Sequence, residues 1–322
     1  MNQPHPQNAA VPEDAVGPPG PYAQPGTYAE QGAYAPEPPR RGVTGRVLGA
    51  VGIIVALVAV AFGALYLVDL TMSETSTTHR SYDAVDSVVL VADGDVTVNA
   101  AEGDIEVDVI AHSGLREPTY SAEESANRLE LTHECGWSIG PRCSGALDVT
   151  LPAGTEVTVR TASGDVVANG LAGDVSLDSS NGQIEATEIS GPLTVSSSNG
   201  DIDVADVDAD VRTFTSNGET DVADVDGTVT ADSSNGDITI GSVTGDASAT
   251  TGNGEVQVTA AGGDVYAESS NGDVTMVGDG EPVALTMSTS NGDEIVQGAV
   301  DPAAERTVDL RSSNGDVSYL DE

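Results

Sequence analysis

Seven glycines, Gly164, Gly182, Gly200, Gly218, Gly236, Gly254 and Gly272, recur at intervals of 18 residues, and Gly292 and Gly315 follow at steps of 20 and 23. Four of these nine sit in one phrase, Ser-Asn-Gly-Asp and then an aliphatic residue, at Ser198–Ile202, Ser234–Ile238, Ser270–Val274 and Ser313–Val317, and the others keep close variants of it. A fixed period of this length marks a chain that stacks one unit on the next, because no single unit can bury its apolar face alone.

Each period divides in two. Gly173, Gly191, Gly227, Gly245 and Gly263 stand nine residues after the phrase glycines, with Ala209 in that place once. Nine residues hold a strand of about five and a turn of about four. The second and fourth positions after each phrase glycine are mostly apolar, as in Ile202 and Val204, Ile238 and Ile240, and Val256 and Val258. That alternation is the pattern of a half-buried strand. A further apolar position before the half-step turn holds Leu171, Ile189, Val207, Val225 and Val243. The fold class expected is all-β, a parallel β-solenoid or β-helix of 18-residue coils, each of two nine-residue half-coils. An antiparallel meander is the alternative, because Asn-Gly between alternating strands is also a hairpin signal. Turn residues repeated at every second turn, and loops of constant length, favour the solenoid. Stacking then aligns Asn181, Asn199, Asn217, Asn235, Asn253, Asn271, Asn291 and Asn314 in one column, a potential amide ladder. The glycine beside each is expected to supply a left-handed backbone at the corner.

Composition excludes some partners. Aromatic residues are 3% of the chain, so the core is aliphatic. The formal charge is −41 and all 11 basic residues are arginine. Phosphate recognition needs a basic face, so nucleic acid is not a partner.

Ahead of the repeats, residues 1–46 are rich in Pro, Ala and Gly with scattered Tyr22, Tyr28 and Tyr34, a composition that reads as a disordered cytoplasmic tail. Val47 to Val68 is an uncharged run of 22 residues, long enough to span a bilayer. Arg40, Arg41 and Arg46 precede it and Asp69 follows, which puts the N-terminus in the cytoplasm. Its long polar lead favours an uncleaved anchor over a signal peptide. Residues 69–84 read as a linker and 85–322 as an extracytoplasmic β-solenoid with an irregular insert over 115–144. The insert carries Trp137 and both cysteines. Outside the membrane, Cys135 and Cys143 are expected to form a disulfide that staples a loop. With His133 they would make only an incomplete metal set.

From Leu147 the chain reads Leu-Asp-Val-Thr-Leu-Pro-Ala-Gly-Thr, then Ser163-Gly164-Asp165-Val166, then tandem Ser-Asn-Gly-Asp coils. In these motifs it resembles the bacterial putative-adhesin family of β-strand repeat domains, in which a short membrane anchor often precedes the repeats. The resemblance covers about residues 85–320. It implies a parallel β-solenoid at the cell surface and brings no catalytic residues.

Three functional readings follow. The first is a non-enzymatic, adhesin-like module that binds a surface protein or glycan along its flat faces. No His or Cys occurs after Cys143, so no Ser-His or Cys-His pair can form on the repeats. The second is an acidic surface that associates with divalent cations such as calcium. Its candidates are turn acids such as Asp201, Asp237, Asp273 and Asp316. They lie at the wrong offset for the nonapeptide calcium roll, so no defined metal site is expected. The third is a carbohydrate-active enzyme, for which Arg212 and Phe214 are the only exceptions to the repeat that suggest a sugar site. No cofactor is implied by any motif.

Overall fold

The computed structural model describes residues 43–71, 74–113, 117–136 and 143–321. Most of the tail read as disordered, and Trp137, lie outside these residues. One helix, Val43–Thr71, contains the apolar run, and its window Val51–Val68 is long and apolar enough to cross a membrane.

The rest is a β-solenoid whose coils pair in parallel, with antiparallel strands at its N-terminal end, and not the antiparallel meander. Its strands form one 13-stranded and one 12-stranded sheet, called sheet A and sheet B. Each regular coil contributes one strand to each, for example Leu193–Ser197 to sheet B and Ile202–Val207 to sheet A. The 18-residue period is the register itself: Ile184 pairs with Ile202, Ile202 with Thr220, and Thr220 with Ile238. Leu193, Val211 and Val229 are aligned in the same way across the narrow interior. These columns are buried almost completely and form one aliphatic core.

One coil breaks the core chemistry. Thr213 and Thr220 are buried among valine, isoleucine and alanine, and neither hydroxyl has a hydrogen-bond partner. A buried hydroxyl left unpaired costs about 1–3 kcal/mol. Thr220→Val keeps the shape and removes that cost. It is expected to stabilise the protein by about 1 kcal/mol in denaturant unfolding; a loss of stability would show that the hydroxyl is satisfied.

The apolar position before the half-step turn breaks strict alternation, since Ile184, Ala186 and Ile189 all face inward. The residue before each supplies the bend. Glu188, Asp206, Asp224, Ser242 and Ala260 have φ between 51° and 56°, and the pairing skips them. A left-handed residue at this point turns the next side chain back into the core, at a cost of roughly 1–2 kcal/mol where it is not glycine.

The turn glycines have another role than expected. None of those in the Asn-Gly column has a positive φ. They are required by close approach instead: a Cβ on Gly200 would lie 1.8 Å from the carbonyl oxygen of Gly182, and one on Gly236 would lie 1.7 Å from that of Gly218. Stacked coils bring backbone against backbone at this corner, and a side chain has no room.

Both ends of the stack depart from chain order. At the C-terminal end, strands Thr307–Asn314 and Val317–Asp321 insert between the coil Val265–Gly278 and the coil of Ala284–Asn291 and Glu294–Val296. At the other end, Ser87–Ala92 and Val96–Ala100 lie between the coil that starts at Glu156 and the strands Arg128–Glu134 and Ser144–Leu151. The insert over 115–144 therefore supplies sheet strands, including the hairpin Thr119–Ser125 with Arg128–Glu134. The segment read as a linker is also corrected. Glu74–Tyr82 is a strand paired antiparallel with Ile105–Ser113, and it is polar because almost all of it is exposed.

Candidate functional site

The repeated phrase is first of all a structural device. Asn181 donates once, to the Ala162 carbonyl, and every later asparagine amide of the column donates twice to the neighbouring coil. Asn217 Nδ2 reaches Asn199 Oδ1 at 2.9 Å and the Ser198 carbonyl at 3.1 Å, and Asn235 repeats the pattern at 3.1 and 3.0 Å. The ladder follows the spatial order of coils, so Asn314 donates to Asn271, and Asn291 donates to Asn314.

The acids of the same column are also occupied. Asp201 Oδ1 accepts the backbone N–H of Glu219 at 2.9 Å, Asp237 that of Glu255 at 2.7 Å, Asp273 that of Asp316 at 2.8 Å, and Asp316 that of Asp293 at 2.8 Å. Every such bond in this column is made by aspartate. A second set at the opposite corner links Asp210 to Thr228, Asp246 to Asp264 and Asp264 to Thr307. The bond from Thr307 holds the Asp264 carboxyl below its usual range. Glu219 shows the opposite effect: Asp221 first, then partial burial and Asp237, push its carboxyl up. Among the described residues no group of three or more His, Cys, Asp and Glu side chains is placed to share a metal ion.

A third column escaped sequence reasoning. Ser179, Ser197, Thr215, Ser233, Thr251, Ser269 and Ser312 are buried, three residues before a turn glycine. The hydroxyls of Ser179, Thr215, Thr251, Ser269 and Ser312 bridge coils, and those of Ser197 and Ser233 accept from the glycine of their own turn. Ser179 Oγ donates to the Gly164 carbonyl at 3.1 Å and accepts from the Gly182 N–H at 2.9 Å. The signal was present as Ser/Thr-x-Asn-Gly, but the first residue resembled ordinary turn polarity.

The outer faces of the two sheets differ in charge. Sheet A presents Glu185, Asp203 and Asp221 in one register, and Glu188, Asp206 and Asp224 along the adjoining bend. That bend edges a shallow acidic groove with Asp208, Asp226 and Thr244. From Ser87 onward every described arginine in a strand lies on sheet B, namely Arg128, Arg160, Arg212 and Arg311. Between the arginines the outer face of sheet B is rich in hydroxyls, such as Thr194, Thr230, Ser248 and Thr250. Phe214 stands out from it at 47% exposure. Tyr266 is on the same face, with the Arg311 guanidinium 5.5 Å from its ring centre. Arg212 and Tyr266 share one register line three strands apart, about 14 Å at normal strand spacing.

The insert is held by hydrogen bonds and a covalent link. Cys135 and Cys143 are joined as a disulfide with Cα atoms 6.0 Å apart. The Asp93 carboxylate accepts the N–H groups of Cys135 and Gly145 at 2.7 and 2.6 Å at the base of that loop. His133 is 1% exposed, and its Nδ1 lies 3.1 Å from the Ala146 carbonyl. Burial pushes its imidazole down, towards the neutral form. With both sulfurs bonded to each other, His133 packs as a core residue against Tyr120, ring centres 6.0 Å apart.

A family model described as Toastrack DUF4097 matches residues 85–319. No curated protein matches the chain. Among solved structures, a putative adhesin from Bacteroides fragilis is 13% identical with a TM-score of 0.47, covering 77% of this chain and 97% of its own. A putative adhesin from Parabacteroides merdae is 14% identical with a TM-score of 0.28, covering 77% and 96%. A putative lipid binding protein from Parabacteroides distasonis is 13% identical with a TM-score of 0.42, covering 76% and 96%.

Proposed function

We propose, from the premise that this chain belongs to the Toastrack DUF4097 family, that it is a membrane-anchored, non-enzymatic binding module of the cell surface. On this reading the run Val47–Val68 is a single span with the N-terminus in the cytoplasm, since the arginines flank its N-terminal side. The solenoid is then displayed outside the cell, where its binding partner is a surface protein or a glycan.

The observation that carries the proposal is the outer face of sheet B. Phe214 is the only phenylalanine outside the helix, yet it is exposed rather than buried. An exposed ring beside Arg212, with hydroxyls in the neighbouring strands, suits stacking on a sugar or an aromatic side chain plus charged hydrogen bonding. From Ser87 onward the described outer face of sheet A has hydroxyls such as Thr239 and Thr275 but no arginine in a strand and no exposed aromatic ring.

The test uses the full chain in detergent, immobilised and exposed to envelope extract. Wild type is expected to retain a defined protein or glycan. Arg212→Ser with Phe214→Ser is expected to lower recovery about tenfold, the scale of one hot-spot interaction. Unchanged recovery would refute the face assignment, and release of a small product from cell-wall polymer would refute the non-enzymatic reading.

A further inference from the structure

A stacked solenoid ends in edge strands, and exposed edges pair with other strands unless something blunts them. Among the described residues four strands form the sheet ends, and three of them carry charges. Glu74–Tyr82 holds Glu74 and Arg80, and Thr119–Ser125 holds Glu123 and Glu124. Glu294–Val296 is only three residues long, and Glu294 stands in register with the buried Val317, so a charge occupies the inward position.

The fourth strand lacks every such device. Ala284–Asn291 closes sheet B at the C-terminal end with eight residues and no charge, in a chain of net charge −41. It continues the core: Leu285 is aligned with Val308, and Met287 with Leu310. Val308 and Leu310 are fully buried, whereas Leu285 and Met287 are only partly covered, because no further coil lies over them. Ile295, Val296 and Val300 are exposed at the same end, at 36%, 51% and 43%.

From these observations we infer that Ala284–Asn291 is a self-association edge, and that two copies of the chain join end to end through antiparallel pairing of this strand with itself. Antiparallel self-pairing satisfies both strands by a two-fold axis and keeps their faces aligned. Leu285 and Met287 then meet the same residues of the second copy, and the core becomes continuous. The opposite end cannot serve as the mate, because antiparallel strands with charged residues close it. Charge selects the same strand. Two such acidic chains repel, and a neutral edge brings them together with the smallest penalty.

Thiol cross-linking of the full-length chain in membranes tests the pairing. Thr286→Cys and Ser288→Cys, at exposed positions on the outer face of the strand, are each expected to give a cross-linked species of twice the chain mass with a short bis-maleimide. Ser248→Cys, on the same face in mid-array, is expected to stay monomeric. Thr286→Asp with Ser288→Asp is expected to weaken the dimer at least about tenfold in sedimentation of the detergent-solubilised chain, because like charges then face across the axis. Their exposure leaves the thermal transition as the check that the fold is intact. Failure to cross-link at both edge positions would overturn the inference. So would a dimer that persists unchanged in the double aspartate variant, which would place association in the helix, or cross-links to a different protein.

Discussion

Gly236→Ala is expected to break the stack in the middle. The new Cβ would lie 1.7 Å from the Gly218 carbonyl oxygen and 2.7 Å from its carbon, both backbone atoms with no freedom to rotate away. Accommodation requires the two coils to separate, which stretches the sheet hydrogen bonds and opens the aliphatic columns on both sides. Loss of more than about 4 kcal/mol is expected, in the range reserved for overpacking of a core with broken hydrogen bonding. The control is in the same coil. A Cβ at Gly241 would have no atom within 4 Å, so Gly241→Ala is expected to change stability by less than about 1 kcal/mol. Urea unfolding of the two variants in the detergent-solubilised chain decides between them. Similar effects at both positions would remove close approach as the reason for the glycine column.

Deletion of residues 307–322 is expected to undo two coils rather than one. The deleted strands carry Val308, Leu310, Val317 and Tyr319, all essentially fully buried. At roughly 1.5–3 kcal/mol for each large apolar side chain, their loss removes on the order of 6–12 kcal/mol of burial, an upper bound. They also separate the coil Val265–Gly278 from the strands Ala284–Asn291 and Glu294–Val296, which take their sheet partners from the deleted segment. Hydrogen exchange in the truncated chain should therefore rise over 284–296 while remaining low over 184–261. Continued protection of 284–296 would mean that this coil moves inward and stacks directly on Val265–Gly278, as chain order alone would have it. The lock between Arg306 and Asp279, with Nη2 and Oδ1 2.7 Å apart, belongs to the same end. It holds the Asp279 carboxyl well below its usual range, so its contribution is present above the ordinary carboxylate pKa and fades as pH falls through the lowered value.

The amino-acid order by itself determined the coil. An 18-residue period with apolar residues at two alternating positions admits few other solutions, and the identical asparagines already implied the ladder that Asn199, Asn217 and Asn235 form. The helical run and the nearness of Cys135 to Cys143 were equally plain, because each depends on local composition or spacing. Arg212 and Phe214 stood out as exceptions to the repeat, though only the strand register put them with Tyr266 on one face.

Tertiary structure decided what depends on distance between coils. The glycines had a local explanation, a left-handed turn, but it is the carbonyl of the coil beneath that excludes a side chain. The left-handed conformation went instead to Glu188, Asp206, Asp224, Ser242 and Ala260, whose types gave no hint of it beyond the broken alternation around them. Ser179, Thr251 and Ser269 looked like turn residues and proved to be buried bridges, because burial follows from stacking and not from polarity. The order of coils at each end was hidden for the same reason. A repeat is equally able to stack on any neighbour of the same width, so its pattern specifies the shape of a coil and leaves its place in the stack to the connections and contacts at the ends.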